Sequence, residues 1–145
     1  MIKTKPLKIK EVSRKWYLLD GRGRILGRLA VEISKLLMGK NEVRYVNYLD
    51  LGHCVVVTNI GKIKVTGAKE KDKTYYRYSG YPGGLKKETY GKLFVRRPTE
   101  VLRKAVLGML PDNKFRATRL ARLHLYVDDK IPQKVVFANV KETNG

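Results

Sequence analysis

Groups that commonly perform chemistry are scarce in this chain: one cysteine, two histidines and thirteen acidic residues among 145. A lone Cys54 excludes an internal disulfide and suits a reducing compartment, with the cytoplasm as the expected place. It opens a β-branched run, where it reads as a small core-lining residue rather than a thiolate nucleophile. His53 and His124 lie far apart in the sequence and neither makes a metal-ligand spacing with Cys54, so no metal site is expected. The acids are mostly interleaved with lysine, as in Lys69-Glu-Lys-Asp-Lys73, which reads as a solvated or polyanion-facing loop and not as an acid–base pair. No enzyme, catalytic residue, cofactor or small-molecule substrate is therefore expected. Long apolar runs are missing too. Nothing approaches the roughly 18 residues that span a bilayer, and the charged stretch Met1 to Lys10 has no apolar segment behind it, which argues against a secretory signal. No internal repeat is visible.

What the chain has in excess is positive charge. Thirty-two Lys and Arg against thirteen acids give +19, while an apolar share of 43% is ordinary for a globular core. Such a charge points to a polyanionic partner: nucleic acid first, an anionic membrane surface as the alternative. The charge is also uneven. Residues 1–30 hold nine basic and two acidic side chains, residues 31–61 three of each, residues 62–104 thirteen against four, and residues 105–145 seven against four. A neutral scaffold lies between two basic regions.

The scaffold has legible elements. Trp16-Tyr-Leu-Leu19, closed by Asp20-Gly-Arg-Gly23, predicts a strand and a turn. Leu26, Leu29, Ala30, Ile33, Leu36 and Leu37 form one helical stripe, ended by Gly39. Val55-Val-Val57, with no polar alternation, predicts a strand buried on both faces, as in a parallel sheet. Ile63-Lys-Val65 predicts a shorter strand. Pro98 opens a helix whose face is Val101, Leu102, Ala105, Val106, Met109 and Leu110, stopped by Pro111. A basic helix within Lys114 to Arg122 and a last strand Leu123 to Val127 follow, giving an α/β layered domain over residues 15–127. Residues 1–14 read as a basic extension, and residues 128–145 as an irregular tail.

Four clusters are candidate contacts for RNA. Gly21-Arg-Gly-Arg-Ile-Leu-Gly27 opens a helix after a strand, which resembles a dinucleotide fingerprint. Arg22 and Arg24 stand where a pyrophosphate needs small residues, so an RNA phosphate held by Arg22, Arg24 and Arg28 is the favoured reading; a solvated turn and a bound nucleotide are the alternatives. The stretch Lys69 to Lys87 joins cations (Lys69, Lys71, Lys73, Arg77, Lys86, Lys87) to tyrosines able to stack on bases (Tyr75, Tyr76, Tyr78 and Tyr81), with about half of them expected to pack beneath the loop. Arg96-Arg97 is a third cluster. Arg116, Arg119 and Arg122, at a helical spacing of three, are a fourth.

Four stretches then fall in a familiar order. They are Trp16-Tyr17 with Asp20, Gly23 and Leu26-Gly-Arg-Leu-Ala30; Gly52, Val56, Asn59, Lys62, Thr66-Gly67 and Lys69; Asp72-Lys73, Tyr75-Tyr76, Ser79-Gly80 and Gly83-Gly84; and Arg96-Arg-Pro98, Val101, Ala105-Val106 and Gly108-Met-Leu-Pro111. Together they resemble large-subunit ribosomal protein thirteen of the bacterial type. The resemblance implies a three-layer αβα domain with a small, mainly parallel four-stranded sheet, basic loops and extended termini. It also implies direct binding of large-subunit ribosomal RNA, neighbouring large-subunit ribosomal proteins as further partners, a part in subunit assembly, and no enzymatic activity or membrane attachment. A free regulator of messenger RNA is the alternative function. The chain departs from the family pattern at Asn47-Tyr48, His53, Asp112 to Arg116 and Asp128 onward.

Overall fold

The three consecutive valines lie in β2 (Cys54–Thr58), a strand flanked on both sides in a computed structural model that describes residues 5–132, 137 and 139–141. On one side is β1 (Trp16–Asp20), parallel and in register from Trp16 opposite Cys54 to Asp20 opposite Thr58. On the other is β5 (Leu123–Leu125), also parallel. The far edge of β1 takes β6 (Asn139–Lys141), so the sheet runs β5-β2-β1-β6 with every pair parallel. The expected α/β class and small parallel sheet are present.

Strand alternation divides the sheet into two faces. Tyr17, Leu19, Val55, Val57 and Leu123 share the face that meets the helices. On the opposite face Val56 is fully buried and the ring of Trp16 stacks on His124 at 5.4 Å. Burial on both faces is why the valine run shows no polar alternation. Each such side chain contributes about 1.5–3 kcal/mol by leaving water.

Helix α1 (Leu26–Met38) lays Leu26, Leu29, Ala30, Ile33 and Leu37 on the first face. It stops at Gly39, whose left-handed φ of 79° and N–H donated back to Lys35 and Leu36 carbonyls form a glycine C-cap. A single helical turn, α2 (Lys69–Asp72), precedes an antiparallel hairpin made of β3 (Thr74–Tyr78) and β4 (Leu85–Thr89). Helix α3 (Tyr90–Arg96), which the sequence pattern did not announce, sends Tyr90 and Leu93 into the core. Helix α4 (Pro98–Met109) begins with proline in its first turn and buries Val101, Leu102 and Val106. Helix α5 (Arg116–Ala121) leads into β5.

Three expectations need correction. Ile63 to Val65 is not a strand: Lys64 makes one parallel bridge with Ile25, since the chain leaves the sheet through a 3-10 turn at Ile60–Lys62 and finds no longer partner there. The last strand stops at Leu125 because the Tyr126 and Val127 carbonyls accept the N–H groups of Ile60 and Gly61 in that turn. The tail expected to be irregular contributes β6, the edge of the sheet.

Candidate nucleic-acid interface

The stretch Lys69 to Lys87, expected to be a loop, folds as a projecting hairpin whose register sorts its side chains. Tyr75, Arg77, Lys86 and Glu88 share the inner face, and Tyr76, Tyr78, Leu85 and Lys87 the outer one. Gly80 and Gly83 hold positive φ at the tip, and Gly84 N–H donates to the Tyr81 carbonyl at 2.9 Å. Tyr75 turns inward against the core, with Lys104 and Lys73 ammoniums 5.0 and 5.6 Å from its ring centre. Burial pushes its hydroxyl pKa up, and that of the neighbouring core residue Tyr90 up to about 12, with smaller contributions there from Tyr75 and Glu70.

Between the hairpin and helices α3 and α4 runs a groove of about 540 Å³. Its cations are Arg77, Lys86, Lys87, Lys92, Arg96 and Lys104; its acids are Glu88 and Glu100. Glu88 accepts from Arg96 at 2.7 Å and Glu100 lies 3.5 Å from Lys104. Arg77, Lys86, Lys87 and Lys92 have no carboxylate at ion-pair distance among the described residues, so four positive charges face solvent together. On the other side of Lys104 a second cavity, about 390 Å³, carries Lys69, Lys73 and Thr66 near Gly27 and has no acid among its lining residues.

The other expected contacts fare differently. The glycine loop is closed to an incoming phosphate by its own hydrogen bonds: Gly21 N–H donates to Thr58, Gly23 to Lys62, Arg24 to Gly21, Leu26 to Lys64, and Arg22 N–H to the Asp20 carboxylate. Its guanidiniums are also engaged, Arg22 with Asp20 and Asp129, Arg24 with Glu32. The loop's N–H groups therefore offer no cradle for a nucleotide, and Arg22 and Arg24 each have a carboxylate partner already, while Arg28 is exposed on α1. Arg116 pairs with Asp112 and donates to the Leu107 carbonyl at 2.8 Å. Arg119 is 2% exposed and sits 3.4 Å from Asp50, and Arg122 is clamped on the same carboxylate. Both hold the fold together, so they are withdrawn as RNA contacts. Lys71 is exposed on α2 and Arg97 lies 3.8 Å from Glu100.

Sequence reasoning did not single out Lys92 and Lys104, which line the groove. Strand alternation makes Tyr76 and Tyr78 the outward pair and turns Tyr75 inward, where the sequence reading took Tyr75, Tyr76, Tyr78 and Tyr81 together without sides. Lys92 and Arg96 stand one helical turn apart on α3, and Lys104 lies off the buried stripe of α4. Among the described residues, no helix is long and apolar enough to cross a membrane.

The sequence is similar to known proteins over most of its length. The sequence model of the family described as Ribosomal protein L13 matches residues 14–132. Curated relatives named large ribosomal subunit protein uL13 are 49% identical in Citrifermentans bemidjiense, with 86% of this chain and 88% of that protein aligned, and 46% identical in Rubrobacter xylanophilus, covering 84% and 85%. The protein of that name from Cupriavidus metallidurans is 39% identical over 97% of this chain and 99% of its own length. With the match taking in strands β1 to β5 and helices α1 to α5, the chain belongs to the ribosomal protein L13 family.

Proposed function

We propose that this chain is a structural constituent of the large ribosomal subunit, without enzymatic activity, that binds ribosomal RNA directly and supports subunit assembly in the cytoplasm. The observation that carries the binding surface is the groove between the hairpin and helices α3–α4, where Arg77, Lys86, Lys87 and Lys92 have no carboxylate partner among the described residues. Unpaired cations held side by side repel one another, and a polyphosphate backbone relieves that repulsion while releasing counterions. The sheet and helices over residues 15–127 serve as the rigid support. Lys69, Lys71 and Lys73 on α2 and its following residue extend the basic surface; Arg28, Arg96 and Arg97 add further charge. Neighbouring large-subunit proteins are the remaining partners. The test is sedimentation of cell lysate with a high-salt wash: the protein is expected to stay with the large subunit, and a pool that sediments on its own with messenger RNA overturns the assignment. Replacing Arg77, Lys86, Lys87 and Lys92 by Glu is expected to abolish incorporation while circular dichroism stays unchanged.

A further inference from the structure

The hairpin has a second, outer face that meets the groove at Tyr76 and Lys87 and continues beyond it to Tyr78 and the tip. Tyr76 and Tyr78 are 60% and 66% exposed, opposite Lys87 and Leu85 in the antiparallel register, and Tyr81 at the tip is 75% exposed. The Lys87 ammonium lies 5.7 Å from the centre of the Tyr76 ring. Thr74 and Thr89 complete the face, which has no carboxylate.

We propose that this outer face is a stacking platform for unpaired RNA bases, with one base seated on Tyr76 and the next on Tyr78. The proposal rests on the RNA-binding reading of the hairpin and adds the structural class of RNA that the hairpin selects. Side chains two residues apart on a strand are separated by about 7 Å. Successive bases in a helical strand rise only about 3.4 Å. Two neighbouring bases can therefore lie on both rings only when they are splayed apart, as in a loop, a bulge or an extended single strand. A duplex hides its base faces in its own stack and offers the tyrosines nothing but sugar and phosphate. The chemistry of the face favours nucleic acid over a protein neighbour: Lys87 lies within it and Arg77 and Lys86 behind it, whereas lysine is depleted in protein–protein interface cores. Aromatic stacking with an adjacent ammonium is what sequence-tolerant binding of single strands uses. The groove follows the backbone, Lys87 stands at its margin beside the Tyr76 ring, and the outer tyrosines hold bases.

The experiment compares two probes with the full chain at one salt concentration: a uridine single strand of about twelve nucleotides, within the usual range of site sizes, and a blunt RNA duplex of the same length. Replacing Tyr76 and Tyr78 together by Leu is expected to weaken single-strand binding by about tenfold or more, the stacking of one base alone accounting for roughly that, and to leave duplex binding within about twofold. The Tyr76→Phe, Tyr78→Phe protein keeps its rings and is expected to match wild type on both probes. In the wild-type protein, a 2-aminopurine placed in the single strand is expected to change its fluorescence on binding, a readout that needs no variant to fold. Equal losses on both probes, no loss on the single strand, or an unchanged 2-aminopurine signal overturns the platform. Wild-type protein that binds neither probe overturns the RNA-binding reading itself. Intact binding of both probes by the Leu variant, with failure to join the subunit, assigns the face to a protein neighbour instead.

Discussion

His53 presents its Nε2 to Glu42 Oε1 at 3.2 Å while its Nδ1 accepts the backbone N–H of Lys15 at 3.3 Å. Because Nδ1 is the acceptor, the neutral ring carries its proton on Nε2, the nitrogen on the carboxylate's side. Burial pushes the ring's pKa below 6.5; Glu42 pulls it back in part, while Lys15 and Arg14 push further down. The unfolded chain therefore binds a proton first as the pH falls, and stability drops from about pH 6.5 down to the folded value. Urea unfolding at pH 7.5 and 5.5 is expected to show the wild type weaker at the lower pH. A His53→Phe protein is expected to lose most of that difference, and an unchanged pH slope in it would refute the assignment.

Asp50 is the hub of a buried ion cluster. Arg122 grips it with Nη1 and Nη2 at 2.6 and 2.8 Å, Arg119 approaches at 3.4 Å, and Arg122 Nη2 also donates to the Leu37 carbonyl at the end of α1. Burial alone raises the carboxyl pKa, but the hydrogen bonds and charge of Arg122 outweigh it and the net shift is downward. The cluster's stability is thus present above about pH 4 and lost as the pH falls below 3.8 toward the folded value. Asp50→Ala leaves two buried guanidiniums uncompensated, with an expected cost of about 3–5 kcal/mol. Replacing Asp50 and Arg122 together by Leu and Met is expected to cost less than the sum of the single changes, measured by denaturant unfolding.

The hairpin was partly legible in the sequence and the buried cluster was not. Charge beside tyrosine singles out Lys69 to Lys87 in the sequence, and the structure gathers those residues on α2 and one hairpin. Composition does not report which side of a strand a residue takes, and a register fixed by the Gly80–Gly83 tip decided between Tyr75 and Tyr76. Arg119 and Arg122 look like surface arginines by spacing. Only the long-range approach of Asp50, far back in the chain, turns them inward. The valine run, the α1 stripe and the Gly39 cap were readable because each is a local pattern. Helix α3 was not, since seven residues give less than two periods of any stripe.

In and around the groove the cations are unequal. Arg96 and Arg97 already have Glu88 and Glu100 beside them, while Arg77 has no carboxylate at ion-pair distance among the described residues. Replacing Lys73 and Arg77 by Ala is expected to weaken RNA binding more than replacing Arg96 and Arg97. The log–log salt slope of the wild type is expected at about −4 to −5, if the six groove cations each release roughly 0.7 to 0.9 counterions. Filter binding across a salt series checks both, and a slope shallower than about −2 would remove the electrostatic account.

Two glycines make opposite predictions. A Cβ on Gly52 meets the Leu37 carbonyl oxygen at 1.7 Å and Arg122 Nη2 at 2.4 Å, so Gly52→Ala disrupts the cluster at its tightest point. A loss of about 2 kcal/mol or more is expected from overpacking. Gly108, in the last turn of α4, has open space around its Cβ position, and Gly108→Ala is expected to stabilise by about 0.5 kcal/mol through helix propensity. Thermal melts of the two proteins are expected to shift in opposite directions.

The opening strand of the chain is an inner strand of the sheet. Tyr17 faces Val55 on one side and Asn139 on the other, more than a hundred residues later. A polypeptide is made from N-terminus to C-terminus, so β1 precedes β6 and waits for that neighbour while more than a hundred residues are added. Until then one of its edges is exposed, an edge able to pair with the wrong strand. The hairpin has no such delay, because its two strands are joined by a short turn and close locally. The RNA-facing part of the chain is therefore able to take shape while the sheet that supports it is still waiting for β6.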